Sequence, residues 1–156
     1  MQWITREHPV IDRIACPWLI RRFVDPDAEF RFVPPPEVLR VAHATGAIPF
    51  DVEGAELSHD GPYCSFDTIL RQYGLTDPAL AGLARIIRGA DTDRLDLAPQ
   101  SPGLLALSLG LARVIADDHA LLRHGMVNYD ALYCWARELQ DERHRWNPAR
   151  RPVAPS

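Results

Sequence analysis

Apolar positions along this chain recur mostly at helical spacing. Residues 11–24 (IDRIACPWLIRRFV) place Ile14, Trp18, Leu19 and Phe23 on one side of a helix, ended by Asp25-Pro26-Asp27. Pro17 either kinks that helix or stands in its first turn. Residues 28–33 (AEFRFV) alternate apolar and polar and predict a short strand. After three prolines, residues 37–45 predict a helix stopped by Gly46, and residues 47–59 one or two short strands around Gly54. SFDTILRQYG predicts a helix with Ser65 as N-cap and Gly74 as C-cap. DPALAGLARIIRG predicts another, capped by Asp77, opened by Pro78 and stopped by Gly89. From Gly103 the pattern is helical again: Leu104, Leu107, Leu111 and Ile115 form an apolar stripe, and residues 103–116 read as a buried helix. A last helix covers about residues 128–142. The expected fold is therefore α+β and predominantly α-helical. It is a single compact domain over residues 1–142, with a few short strands in the N-terminal half and no repeat. Residues 143–156 (RHRWNPARRPVAPS) are basic and proline-rich and predict a disordered tail.

Composition narrows the function classes. The chain has 156 residues, 47% hydrophobic and 24% charged, which suits one ordinary globular domain. Its N-terminus has no secretory pattern, and residues 103–116 are too short to cross a bilayer, so a cytoplasmic protein without membrane contact is expected. Cys16, Cys64 and Cys134 are far apart and form no C-x-x-C pair, so reduced thiols are expected, each by default a small buried hydrophobe. A net charge of −4 argues against direct nucleic-acid binding. All 17 cationic side chains are arginine. GC-rich codon usage accounts for much of that bias, although guanidinium forks also suit oxyanions.

Candidate chemistry concentrates where arginine is missing. Between Arg40 and Arg71 lie Asp51, Glu53, Glu56, His59, Asp60, Cys64 and Asp67, a field favourable to a cation. His59, Cys64 and Asp67 form the mixed ligand set of zinc, iron or manganese, with Asp91 from ADTDRLD as a fourth ligand and Glu53 as a reserve. The bland alternative is a polar turn, with Asp67 complementing a helix dipole. The Asp91 loop lacks the glycine and glutamate of a calcium-binding hand. Arg13 and Cys16 share a helical face with Arg21 two turns on, which could bind an oxyanion around an activated thiol. The competing reading is a core helix whose arginines pair with nearby aspartates. In ADDHALLRHG, Asp118 or His119 could also reach a site. No motif identifies a nucleophile.

Four stretches, TREHPVIDRIACPWLIRRFVDPDAEFRFVP, PFDVEGAELSHDGPYCSFD, IIRGADTDRLDLAPQSPGLLALSLGLAR and DDHALLRHGMVNYDALYCWAR, resemble the C-terminal domain of the ChrB chromate-resistance family. The resemblance implies a regulatory, chromate-responsive stress role, and strengthens the metal set more than the Arg13–Cys16 pocket. Three functions follow as expectations. The first is a domain that binds a divalent metal or a chromate-like oxyanion. The second is a metal-dependent redox or hydrolytic enzyme using the same pocket. The third is a metal-free regulatory homodimer.

Overall fold

A computed structural model describes residues 1–143; the basic tail expected at residues 143–156 lies outside them apart from Arg143. Three short parallel strands open the fold: β1 (Gln2–Arg6), β2 (Glu29–Val33) and β3 (Ile48–Pro49), in the order β2-β1-β3. Trp3 of β1 lies opposite Phe30 of β2 and Ile48 of β3. Alternation along β1 sends Trp3 into the main core, while Ile4 packs in a smaller cluster with Val38, Ala42 and Ala47. That smaller cluster belongs to α2 (Val38–Thr45), so the sheet is covered on both faces, as parallel strands require.

The main core lies between the sheet and the remaining helices: α1 (Asp12–Leu19), α3 (Ser65–Gln72), α4 (Pro78–Asp91), α5 (Ser101–Val114) and α6 (Asp118–Cys134). Trp18 is its hub, surrounded by the rings of Phe23, Phe66, Tyr129 and Tyr133 at 5.6–6.4 Å. Its indole N–H donates to Asp130, which Arg22 also grips through two hydrogen bonds, so this large ring is buried without an orphaned donor. The helical majority and a few short strands in the N-terminal half are as the hydrophobic pattern predicts. The central strand β1, however, falls where the pattern assigned no element, and the last long helix begins at Asp118 rather than near residue 128. Among the described residues no helix is long and apolar enough to cross a membrane.

Local differences from the sequence reading have identifiable causes. Pro17 stands at the sixth position of α1, past the first turn, and the helix continues through it into a wider turn over Ile20–Val24. Cys64, rather than Ser65, is the N-cap of α3. Asp77 and Pro78 open α4 as expected, with Asp77 accepting from the Ala79 N–H at 2.8 Å. Gly89 does not stop α4, however; the helix runs on to Asp91. A Cβ at Gly89 would lie 2.3 Å from the Ser101 hydroxyl and 2.9 Å from the Arg94 carbonyl, so this glycine permits α5 to pack closely. Gly125 similarly lies inside α6, with Ile14 filling the place a Cβ would take. The α5 stripe is also less buried than expected: Leu104 is in the core, but Leu107 is 62% exposed.

Gly89→Ala is therefore expected to destabilise the fold by about 1–3 kcal/mol through overpacking. Gly82→Ala, where a Cβ meets nothing among the described residues within 4 Å, should stabilise it by roughly 0.5–1 kcal/mol. Denaturant midpoints of the two variants measure the contrast.

Candidate functional site

The carboxyl ends of β1 and β3 are adjacent, and the chain reverses its direction of travel across the sheet between them. Open parallel sheets place ligand crevices at such a point. Arg6 ends β1, and Asp51 follows β3 by two residues. The Arg6 guanidinium donates through Nε to the Asp51 carbonyl and through Nη2 to its carboxylate, at 3.0 and 2.9 Å.

Asp12, the first residue of α1, is fully buried. Its carboxylate sits on the N-terminus of α3, accepting from the backbone N–H groups of Ser65 at 2.6 Å and Phe66 at 3.1 Å. The Cys16 thiol, one turn along α1, donates to it at 3.4 Å. Unpaired N–H groups and the helix dipole make such a terminus a natural seat for an anion. Ser65 joins this carboxylate to a second one, because its hydroxyl donates to Asp51 at 2.8 Å.

His59 completes the cluster. Its Nε2 lies 3.1 Å from Asp91, 3.3 Å from Asp51 and 3.7 Å from Asp12. Asp91 is the last residue of α4, so its charge meets the negative end of a helix dipole. Asp12, His59 and Asp91 each offer a donor atom, and these atoms all lie within 4.8 Å of one another. Donors held at about 2.1 Å from a tetrahedral first-row ion lie about 3.4 Å apart, which is the scale of the His59 separations.

The electrostatics express this crowding. Burial, followed by repulsion from Asp91 and Asp51, holds Asp12 well above the usual carboxylate range. Burial and then Asp51 also raise Asp91. Asp51 is lowered: burial opposes its charge, but hydrogen bonds from His59 and Ser65 and the charges of Arg6 and Arg13 prevail. The hydrogen bond to Asp51, with further attraction from Asp12 and Asp91, overcomes partial burial and raises His59 to about 9. At neutral pH an imidazolium thus supplies the positive charge that three carboxylates need.

His59 and Asp91 meet as the metal-set reading requires. Cys64 and Asp67 form a neighbouring unit. Cys64 is fully buried, and both its N–H and its thiol donate to Asp67, at 3.1 and 3.3 Å. The second Asp67 oxygen accepts from Arg88 at 2.8 Å, so this carboxylate braces α3 against α4. Arg13 reaches the site: its Nε lies 3.8 Å from Asp51, and its Nη2 donates to the His8 carbonyl. Arg21 turns to β2, donating twice to the Ala28 carbonyl and covering the Phe30 ring. The Cys16 thiol is raised by burial and by Asp12 instead of being activated by arginine. Glu53 lines a cleft of about 340 Å³ beside His59, together with Arg6, Asp51 and Ser58. Asp118 accepts from the His8 N–H, and His119 packs edge-on against Phe32. Sequence reading left Asp12 outside the metal set; the competing core-helix reading had it as a pairing partner of the nearby arginines.

Comparison with known proteins places the chain in a family. The domain described as ChrB, C-terminal domain, matches residues 3–136. The chain belongs to the ChrB C-terminal domain family. Protein ChrB of Cupriavidus metallidurans is 38% identical over 133 residues, covering 85% of this chain. The match spans 40% of that relative's length, so this ChrB-type domain corresponds to less than half of it. No solved structure matches.

Two outcomes test the geometry. His59 should titrate near 9 by NMR, against an ordinary value of 6.5. Because its pKa is raised on folding, the stability it contributes is present in full below pH 6.5 and is lost as pH rises through about 9. The stability difference between the parent chain and His59→Gln should shrink over that window. Asp12→Ala, which leaves the Ser65 and Phe66 N–H groups buried without their acceptor, should cost about 2–4 kcal/mol in denaturant unfolding.

Proposed function

We propose that this domain binds a divalent metal ion and serves a sensing or regulatory role in chromate resistance. Asp12, His59 and Asp91 are the ligands, and Asp51 stands beside them as a fourth carboxylate or as the acceptor that orients the imidazole. The observation that carries the reading is the convergence of three buried or half-buried carboxylates on one imidazole nitrogen, at 3.1–3.7 Å. Repulsion among these acids is relieved by any cation at their centre, and a dication relieves it more than a proton. The oxygen-rich donor set with one imidazole suits zinc, manganese or iron(II) and disfavours a thiophilic ion. The chromate link rests on family membership.

Arg6 and Arg13 give the site a second character. Three carboxylates against two guanidiniums and a dication leave one net positive charge once His59 is neutral. An oxyanion could then approach through the cleft lined by Arg6 and His59. The exposed side of His59 makes the centre open to exchange, which suits sensing better than a closed structural site does.

Metal binding must displace the His59 proton, so apparent affinity should rise by up to about tenfold per pH unit below pH 9. Calorimetric titration with zinc and manganese is expected to show one site per chain. His59→Ala and Asp91→Asn should lose it, while Cys64→Ser should keep it. Retention of stoichiometric metal by the His59→Ala, Asp91→Asn double variant would overturn the assignment.

A further inference from the structure

The outer side of α5 is unusual for a helix facing water. Its exposed positions are Pro102, Gly103, Ala106, Leu107, Leu109, Gly110, Arg113 and Val114, among which Arg113 is the one charge. Leu107, Leu109 and Val114 are 62%, 54% and 78% exposed, and Val127 of the neighbouring α6 is 64% exposed. Contiguous apolar surface of this kind marks an interface more often than it marks free surface. Between α5 and α6 runs a groove whose lining includes Gly103, Leu104, Leu107, Ala131, Leu132 and Trp135.

Two glycines sharpen the point. Gly103 and Gly110 lie within α5, where glycine weakens a helix, and a Cβ at either would meet nothing within 4 Å. Nothing among the described residues therefore calls for glycine there, in contrast to Gly89 and Gly125. Gly103, Leu107, Gly110 and Val114 are spaced by four, three and four residues, and so share one stripe of the helix. That stripe is its own complement. An antiparallel copy related by a two-fold axis between Ser108 and Leu109 sets Leu107 opposite Gly110 and Val114 opposite Gly103. Each large side chain then meets a notch in the partner, and every such contact occurs twice, as an isologous interface requires.

We propose that α5 is the dimerisation helix of this domain, pairing antiparallel with α5 of a second copy in this register. Val114 of each copy enters the other's groove beside Gly103, and Leu107 packs over the partner's Gly110. The stripe of Gly103, Leu107, Gly110 and Val114 itself carries no charge to desolvate, Arg113 standing on the exposed face beside it, and antiparallel helices align their dipoles favourably. Its length, about 21 Å for 14 residues, makes a modest interface. A micromolar dimer is expected, because standard interfaces bury about 800 Å² per partner. An unrelated partner would have no reason to match large and small positions symmetrically about the middle of this helix.

Sedimentation velocity of the full chain, from micromolar to near-millimolar concentration, is the test. It is run in reductant because Cys134 is exposed and could crosslink copies. A reversible monomer–dimer equilibrium is expected. Leu107→Glu and Val114→Glu should each weaken it by about tenfold or more, with unchanged far-UV circular dichroism. Gly110→Ala separates the roles of the residue: it should raise the melting temperature of the monomer while weakening the dimer. Gly110→Leu alone should abolish pairing, and adding Leu107→Ala should restore it by exchanging the large and small positions. A chain that stays monomeric throughout the range, a dimer indifferent to Leu107→Glu, or a failure of the exchange to rescue Gly110→Leu would overturn the proposal.

Discussion

A carboxylate with no access to water organises this domain. Asp12 cannot be solvated, so its stability depends on what the protein brings to it, and α3 brings the N–H groups of Ser65 and Phe66. Their short hydrogen bonds bind the start of α1 to the start of α3 across 53 residues of chain. Ser65 then extends the connection through its hydroxyl to Asp51, which Arg6 ties to the end of β1. Sheet, α1 and α3 are thus joined by a polar network within a core that is otherwise apolar. Since α3 has Asp12 already seated on its N-terminus, additional negative charge nearby is left to find its own counterion. Asp91 finds it in His59.

Backbone conformation around this network departs from what side chains prefer. Ile11, just before Asp12, has a φ of 47°, and Asp51 itself has a φ of 50°. Such conformations cost on the order of 1–3 kcal/mol each and persist only where surrounding structure enforces them, most of all for a β-branched residue such as isoleucine. The enforcing contacts are visible. The Tyr129 hydroxyl donates to the Ile11 carbonyl, while the Asp51 N–H pairs with the Leu57 carbonyl as both of its carboxylate oxygens are engaged. The strained positions aim the two acids inwards, towards the imidazole.

Elements governed by local chemistry were legible in the sequence. Gly46 and Gly74 adopt left-handed φ values of 75° and 61° just beyond their helices, and the Asp77-Pro78 start of α4 follows directly from capping. Gly89 was misleading because a glycine required by a neighbouring helix has the same letter as one that ends its own. Its reason lies with Ser101 and the Arg94 carbonyl. The same division applies to the site. His59 and Asp91 were identifiable by ligand chemistry, and Arg13 by charge. Cys64 and Asp67 satisfied the spacing rule, yet three residues at a helix start can equally close upon themselves, as the thiol, its N–H and the Asp67 carboxylate do. Asp12 gave no local sign, since its partners arrive through tertiary packing alone.

The distribution of counterions decides what this cluster can accommodate. Arg6 and Arg13 both address Asp51, and they leave Asp12 and Asp91 raised while Asp51 is lowered. Arginine has thus neutralised the acid that lines the cleft without quenching Asp12 and Asp91, whose remaining cation is the proton on His59. That proton sits on the same nitrogen that would ligate a metal, so the two are exclusive occupants of one position. A site built only for structural pairing would gain by placing a guanidinium against every acid, as Arg88 does for Asp67 a few residues away. Leaving Asp12 and Asp91 dependent on an exchangeable proton leaves their negative charge without a fixed counterion, the condition that the proposed metal-binding function needs.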